Sequence, residues 1–167
     1  MDCILLRHGI AVEPDEWDGT DAERPLTHGG AEKTREALRG LLRLDIAPTH
    51  ILCSPYVRAR ETAELAREVL AVRSGVDIRS ELVPEAHPGK LLTVLAGLPA
   101  DACVLCVGHE PNLGGVAGVM LFGEALSALS LKKAGACCVR FSGPPIAAGG
   151  VLRWWLMPSQ LRRLGRA

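Results

Sequence analysis

Cationic and imidazole side chains follow apolar runs at three places in this chain. Arg7 and His8 directly follow one run, Arg58 lies five residues beyond a second, and His109 comes shortly after a third. In an open parallel sheet, ligands bind at the carboxyl ends of the strands. Two guanidinium and two imidazole groups would then meet at one edge. This combination favours a phosphoryl group, because the planar fork of arginine binds two oxygens at once.

His8 is the candidate nucleophile of this set. A neutral imidazole that attacks phosphorus forms a phosphohistidine and divides a difficult displacement into two easier steps. The positive charges of Arg7 and Arg58 disfavour the imidazolium, which lowers the pKa of His8. The same arginines stabilise the charge that develops on the phosphoryl oxygens. His109 can donate a hydrogen bond to one of those oxygens.

Strand-like and helix-like runs alternate along the chain. Strands are predicted near 2–6, 50–53, 76–80, 103–107, 136–141 and 150–156, and helices over 27–42, 55–70 and 90–98 and after Pro111. Alternation of this kind predicts an α/β fold: a three-layer sandwich with a mostly parallel sheet of about six strands and helices on both faces. The length of 167 residues and the absence of a linker predict a single domain over 1–167.

Local signals refine three segments of this prediction. Ser54 is a preferred N-cap residue and Pro55 suits a first helical position, so Arg58 is expected at the end of the first turn. The acidic segment 10–25 exceeds the usual connection length and therefore favours a functional loop. The basic residues 162–166 are expected to form a solvated tail.

Composition excludes several classes of protein. The chain carries 19 basic and 19 acidic side chains, so its balanced charge does not favour a nucleic-acid partner. The longest apolar runs fall short of the roughly 20 residues that a membrane helix needs. The N-terminus enters a strand at once, without the pattern of a signal peptide, and a cytoplasmic location is therefore expected.

The six cysteines are expected to be reduced. Most lie in predicted buried strands, where a free cysteine packs as a small apolar side chain. Cys103 and Cys106 are three residues apart on one strand and therefore point to opposite faces, so they cannot share a metal. His28, His50 and His87 have no ligand spacing either. The sequence predicts neither a metal nor a cofactor.

Taken together, these motifs resemble the histidine phosphatase superfamily, which is also called the phosphoglycerate mutase-like family. The Arg-His-Gly hallmark of the family is matched at 7–9, and its Ser-Pro-x-x-Arg-Ala-x-x-Thr-Ala signature at every fixed position of 54–63. Leu-Thr-x-x-Gly at 26–30 and Gly-His at 108–109 also match. The resemblance spans essentially the whole chain. It implies a phosphate pocket whose members are His8 as the phosphorylated residue with Arg7, Arg58 and His109, and Gly9 among the substrate-binding residues.

Within the superfamily, the chain looks most like the short SixA-like phosphohistidine phosphatases. The insertions that build substrate caps in mutases and acid phosphatases are absent at this length. The segment 21–27 resembles the corresponding segment of that branch, which implies that Arg24 is an extra phosphate ligand. The ending around Trp154 and Trp155 is also similar to that branch.

The general acid is where the sequence departs from the family pattern. Larger relatives place a Glu two residues after a Leu beyond the third strand, whereas Pro84 stands there in this chain. Glu85 is the candidate catalytic acid, with Glu81 or no acid at all as the alternatives. Proton donation to an alkoxide leaving group raises the rate roughly 10²–10⁴-fold, so the lack of a well-placed acid would slow the hydrolysis of phosphate esters. A phosphorylated imidazole instead carries its own protonatable nitrogen.

The sequence therefore predicts a metal-independent phosphatase that works through phospho-His8, with phosphohistidine on a partner protein as its substrate. A phosphatase of small phosphorylated molecules is the alternative within this class. A non-catalytic module that senses phosphate is the alternative from a different class. Such a sensor would not need the nucleophile, which argues against it.

Overall fold

Residues 1–166, the part of the chain that the computed structural model describes, form a six-stranded sheet between two layers of helices. The strands are β1 (Asp2–Arg7), β2 (His50–Cys53), β3 (Val76–Ile78), β4 (Cys103–Gly108), β5 (Ala136–Phe141) and β6 (Gly150–Leu156). The helices are α1 (His28–Arg43), α2 (Val57–Val69), α3 (Lys90–Ala96), α4 (Asn112–Phe122) and α5 (Pro158–Arg166). Short 3-10 turns lie at Pro14–Glu16, Asp21–Glu23 and Ser80–Leu82.

The sheet has the strand order β3-β2-β4-β1-β5-β6. β1, β2, β3 and β4 run parallel to one another, whereas β5 pairs antiparallel with β1 and β6 antiparallel with β5. Helices α1, α2 and α5 cover one face and α3 and α4 the other. The predicted three-layer α/β fold with a mostly parallel sheet is confirmed.

The central strand β1 is apolar on both faces because both faces are covered. Ile4 and Leu6 pack into the layer that contains α1, α2 and α5, and Cys3 and Leu5 into the layer that contains α3 and α4. All four side chains are at most 1% exposed. A continuous apolar run of this kind is typical of a parallel strand buried on both sides. The end of β1 is consequently held in a fixed position.

The register of β1, β2 and β4 brings their carboxyl ends level. Arg7 lies opposite Gly108, and Cys53 opposite Val107. The pairing continues beyond the strands, since the His8 amide donates to the Gly108 carbonyl at 3.0 Å and the Ser54 amide to the Val107 carbonyl at 3.0 Å. Residues 8, 54 and 109 therefore leave the sheet at the same edge, as the sequence predicted.

Helix α2 begins at Val57, two residues later than predicted. The Ser54 hydroxyl accepts the amide of Tyr56 at 3.3 Å, ahead of the helix rather than within its first turn. Serine hydroxyls often form such local bonds to the backbone, and these compete with helix formation. Arg58 is consequently the second residue of α2 and not the end of its first turn.

The basic C-terminal segment is helical, so the prediction of a solvated tail is wrong. It forms most of α5, whose Leu161 is fully buried against α1. Arg166 also pairs with Glu36 of α1 at 2.8 Å. The segment was misjudged because its arginines occupy the solvent side of an amphipathic helix, which is an ordinary place for charge.

All six cysteines are free thiols. The sulfurs of Cys3 and Cys106 lie 4.0 Å apart in the core. Burial raises the pKa of the Cys53 thiol to about 12, so this group stays protonated and unreactive. Among residues 1–166, no helix is both long enough and apolar enough to cross a membrane. The same residues contain no group of three His, Cys, Asp or Glu side chains placed to hold a metal ion.

The contact between α1 and α5 depends on a glycine, and this gives a stability prediction. A Cβ at Gly40 would lie 2.1 Å from the Leu161 carbonyl oxygen, so G40A must push the helices apart and should cost about 1–3 kcal/mol. Gly29 of the same helix has no atom within 4 Å of its Cβ position. G29A should therefore raise the free energy of unfolding by roughly 0.5 kcal/mol. Urea unfolding measures both, and equal effects would contradict this packing.

Candidate active site

The His8 side chain is held in one tautomer. Its Nδ1 lies 2.7 Å from the carbonyl oxygen of Gly9, and Arg58 donates from Nε to His8 Nε2 at 3.3 Å. A carbonyl oxygen can only accept, so the hydrogen-bond network assigns the proton to Nδ1. Nε2 consequently carries the lone pair. The side chain is only 5% exposed, which excludes most water from this nitrogen.

The environment of His8 keeps its imidazole neutral. Burial lowers the pKa of His8 to about 3, and the positive charges of Arg58 and Arg7 act in the same direction. The hydrogen bond to Gly9 opposes this shift without overcoming it. A neutral ring with its lone pair on Nε2 is the form that can act as a nucleophile.

Gly9 completes the turn that orients His8. Its amide donates to the Thr62 hydroxyl at 3.0 Å, and the same hydroxyl donates to the Arg58 carbonyl at 2.8 Å. A Cβ at Gly9 would lie 2.2 Å from Thr34 Oγ1, so only glycine lets the chain pass this close to α1. The Gly9 amide is thus already paired with Thr62, and Gly9 supports the site through its carbonyl, which bonds to the His8 ring.

Arg58 is buried and uses all of its nitrogens. Besides the contact of Nε with His8, Nη1 donates to the Asp21 carbonyl at 2.6 Å and Nη2 to the Asp21 carboxylate at 2.9 Å. The side chain is only 4% exposed, so it needs an anionic partner. Any phosphoryl group that binds to the fork of Arg58 must share or displace Asp21.

Arg24 joins this group through the same carboxylate. Its Nε and Nη2 donate to Asp21 Oδ1 at 3.0 and 2.6 Å, and its Nη1 donates to the Val12 carbonyl at 2.6 Å. Partial burial pushes the pKa of Asp21 upward, but the hydrogen bonds from Arg24 and Arg58 outweigh this effect and lower the pKa. Asp21 is therefore an anion that holds the two arginines together.

Arg7 reaches the site from the end of β1. Its Nη1 donates to the Leu131 carbonyl at 2.8 Å, and the Leu131 amide donates to the Glu110 carboxylate at 2.7 Å. Glu110 also accepts the Gly114 amide at 3.2 Å. Burial lowers the pKa of Arg7, and the negative charge of Glu110 opposes this shift. Glu110 thus fixes the backbone at Leu131, whose carbonyl accepts the hydrogen bond from the Arg7 guanidinium.

His109 lies directly beside His8, with the ring centroids 4.9 Å apart. Its Nε2 is 2.8 Å from the Ser54 hydroxyl, and the ring of Tyr56 packs edge-on against it at 4.9 Å. Burial lowers the pKa of His109 to about 2, with further contributions from the neighbouring His8 and Arg58. This second imidazole is accordingly neutral as well.

Glu85 lies at the rim rather than among the buried imidazoles. Its carboxylate is exposed and approaches Tyr56. Burial raises the pKa of the Tyr56 hydroxyl, and the negative charges of Glu85 and Asp21 raise it further. Glu81 is partly exposed, and its backbone carbonyl accepts a hydrogen bond from Asn112 at 2.9 Å. Neither carboxylate forms a hydrogen bond with His8 or His109 within residues 1–166.

The structure brings together Arg7, His8, Arg58 and His109, which the sequence had proposed as one site. It also adds residues to which sequence reasoning gave no place in the site. Asp21 and Ser54 bond to the side chains of Arg58 and His109, whereas Thr62 and Glu110 bond to backbone groups beside the site. Their roles depend on contacts between distant segments. The signature at 54–63 indicated two of these residues, Ser54 and Thr62, since both are among its fixed positions. Thr62 also lies one helical turn after Arg58, where its side chain can contact the same region.

The two depressed imidazole pKa values predict a loss of stability in acid. Unfolded histidine titrates near 6.5, so below this pH the unfolded chain binds more protons than the folded one. The free energy of unfolding should therefore fall as the pH is lowered from about 7 to about 5, by up to roughly 1.4 kcal/mol per pH unit for each buried ring. H8Q removes one of the two buried rings and should therefore reduce the slope by up to roughly 1.4 kcal/mol per pH unit. Urea titrations at both pH values test this, and a parent slope of zero would contradict the burial of neutral rings.

Comparison with known proteins places this site in a family. Residues 3–89 match the profile of the Histidine phosphatase superfamily (branch 1). Phosphohistidine phosphatase SixA of Escherichia coli (strain K12) is 26% identical over 164 residues, covering 97% of each chain. An uncharacterized protein of Picosynechococcus sp. (strain ATCC 27264 / PCC 7002 / PR-6) is 35% identical over 152 residues, covering 89% of this chain and 90% of the relative.

A solved structure agrees with these sequence relatives. The protein histidine phosphatase SixA complexed with tungstate superposes with a TM-score of 0.84 at 25% identity, covering 96% of this chain and 99% of that one. The family profile, the sequence relatives and the fold all lead to the same assignment. The chain belongs to the histidine phosphatase superfamily, in its SixA-like branch, and is a phosphatase.

Proposed function

We propose that this phosphatase removes the phosphoryl group from phosphohistidine on a partner protein through a covalent intermediate on His8. The observation that carries the proposal is the state of His8: a buried, neutral imidazole with its lone pair on Nε2, 3.3 Å from Arg58 Nε. Because Nε2 is held against a cation, an anionic phosphoryl group is drawn to the nitrogen that can attack it.

The reaction takes place in two steps. As Arg58 Nε turns from His8 Nε2 to a phosphoryl oxygen, the lone pair of Nε2 forms a bond to phosphorus and the phosphorus–nitrogen bond of the substrate breaks. The leaving imidazole departs neutral, since the nitrogen opposite the phosphoryl group is already protonated. Water then attacks phospho-His8, the new phosphorus–nitrogen bond breaks, and dihydrogen phosphate leaves with both protons of the water. His8 returns to its starting state.

The residues around His8 would stabilise the charge that develops in both steps. Arg7 and Arg58 offer guanidinium donors, and His109 offers a ring N–H. Such groups act most strongly when they are fixed before the reaction and shielded from water. Arg24 would act through Asp21, which holds it close to Arg58. Asp21 would move its hydrogen bonds aside as the phosphoryl group enters.

The preference for phosphohistidine follows from the carboxylates. Hydrogen bonds lower the pKa of Asp21, so it is a poor proton donor. Burial raises the pKa of Glu110, but its two oxygens are held by the backbone amides of Leu131 and Gly114, which keeps them directed away from a leaving group. Glu85 is exposed and approaches Tyr56. A phosphate monoester would need a proton from one of these groups for its alkoxide, whereas a protonated phosphoimidazole needs none.

The relatives support the same choice. The curated relative that matches nearly the whole chain is named as a phosphohistidine phosphatase, and the solved relative with a TM-score of 0.84 as a protein histidine phosphatase. Both resemblances cover at least 96% of this chain. A phosphorylated protein is therefore the proposed partner, and a role in signal transduction through phosphohistidine follows from it.

The proposal is tested with one peptide sequence that carries either phosphohistidine or phosphoserine. The parent protein should hydrolyse the phosphohistidine peptide faster, by on the order of 10²-fold, because only the serine alkoxide needs a proton donor. H8A should lose activity towards both peptides. Equal or faster turnover of phosphoserine would overturn the phosphohistidine preference, and an active H8A would overturn the covalent mechanism.

The same assay examines the two remaining candidate acids. E85Q should retain phosphohistidine turnover while it lowers any residual phosphoserine activity. E81Q is tested beside it, because Glu81 is the other candidate acid and lies four residues earlier in the chain. A loss of phosphohistidine turnover in E85Q alone would show that Glu85 donates a proton even to imidazole, which contradicts the reasoning about the leaving group.

Arg58 offers a second test of the proposed pocket. Lysine cannot reproduce three directed hydrogen bonds from one planar group, so R58K should lower kcat by about 10²–10³-fold. R60K is the control, since Arg60 lies two residues later on α2 and is exposed. Steady-state kinetics and thermal unfolding are measured on both variants. An R58K variant with parental kcat would remove Arg58 from the pocket.

A further inference from the structure

One ring nitrogen of His109 is a buried polar atom without a partner. Its side chain is 1% exposed, and Nδ1 has no hydrogen-bond partner within residues 1–166. The other nitrogen, Nε2, lies 2.8 Å from the Ser54 hydroxyl. Buried polar groups are almost always paired in folded proteins, so an exception needs an explanation. The explanation depends on which of the two nitrogens carries the proton.

The hydrogen-bond inventory of Ser54 decides between the two tautomers. Ser54 is 0% exposed, and its oxygen accepts the Tyr56 amide at 3.3 Å. The hydroxyl proton must therefore be donated to another atom, and His109 Nε2 is the acceptor within reach. Nδ1 has no partner in either tautomer, but if Nε2 carried the proton, the Ser54 hydroxyl proton would be left unpaired in the core as well. This additional unpaired group costs about 1–3 kcal/mol.

We propose that Ser54 is a positioning residue that fixes His109 in the tautomer with its N–H on Nδ1, so that this N–H is available to a phosphoryl oxygen. This deepens the proposed function, on which it rests, by naming the group that keeps His109 a donor. A neutral imidazole is a donor at only one of its nitrogens. With the other tautomer, a lone pair on Nδ1 would repel the phosphoryl oxygen instead of binding it.

The position of Ser54 is itself fixed from the backbone. Its amide donates to the Val107 carbonyl at 3.0 Å, which holds Ser54 against β4 two residues before His109. The following residue, Pro55, has no amide proton, so the Ser54 oxygen meets the Tyr56 amide without competition. The hydroxyl is thus held on two sides before any substrate arrives.

The tautomer can be read directly from protein labelled with ¹⁵N on histidine. Long-range ¹H–¹⁵N correlations distinguish a protonated Nδ1 from a protonated Nε2, and H109Q identifies the His109 signals by their loss. Near pH 7.5, the parent should show the pattern of a protonated Nδ1 for His109. A parent spectrum with the proton on Nε2 would overturn the proposal, whatever the variants do.

Two substitutions at Ser54 then test the cause. S54A removes the hydroxyl, and S54C replaces it with a thiol of similar size that is a weak donor. In both variants His109 should lose its pure Nδ1–H pattern and show protonation on Nε2. T34V is the matched control, because Thr34 is an equally buried hydroxyl that donates to the Gly30 carbonyl at 2.7 Å and forms no hydrogen bond with His109 within residues 1–166. It should leave the His109 pattern unchanged. An unchanged pattern in S54C would overturn the proposal.

The kinetic result separates this role from general damage. Loss of one preorganised donor lowers kcat by about 10²–10³-fold in other enzymes. S54C should therefore lose at least about tenfold in kcat on an aryl phosphate, with a smaller change in KM and with cooperative unfolding retained. A fall in kcat without a change of tautomer would overturn the proposal. The tautomer readout needs no substrate, so a failure of the phosphohistidine preference would leave this result standing.

Discussion

The site depends on one imidazole that is kept uncharged between an acceptor and a cation. The Gly9 carbonyl holds the proton of His8 on Nδ1, and Arg58 occupies the lone pair of Nε2. Burial supplies most of the driving force for neutrality, because a charged ring loses its hydration in the core. The fold is organised to maintain this pair of contacts. β1 is covered on both faces, and Thr62 joins the turn after His8 to the helix that carries Arg58.

Asp21 is the second group on which the chemistry depends. A buried arginine without a counter-ion is strongly destabilising, and Asp21 provides that counter-ion to Arg58 while it also holds Arg24. The carboxylate side chain is 55% exposed, so it can exchange its contacts for water when an anion arrives. The phosphoryl group of a substrate offers the same fork-shaped acceptor as this carboxylate. The acidic loop that the sequence marks as unusually long thus contacts the proposed phosphate pocket through Asp21.

Much of this arrangement could be predicted from the sequence, for physical reasons. Buried parallel strands are apolar on both faces, so the runs before Arg7 and His109 identified β1 and β4, and the residues that follow them identified the site. The start of α2 was placed too early, because the Ser54 hydroxyl bonds to the Tyr56 amide instead of capping the helix. The contacts of Asp21 with Arg24 and Arg58 could not be predicted, since they depend on how a long loop folds against α2. Helix α5 was missed because its arginines conceal the apolar side that holds Leu161.

The most direct test of the central claim is the position of phosphate on the trapped enzyme. The protein is mixed with a radiolabelled phosphohistidine substrate, quenched in alkali within one turnover and digested, and the labelled peptide is identified by mass spectrometry. The account predicts an acid-labile label on His8, attached at Nε2, because this nitrogen carries the lone pair. A label on Nδ1, a label on another residue, or turnover without any labelled enzyme would contradict it.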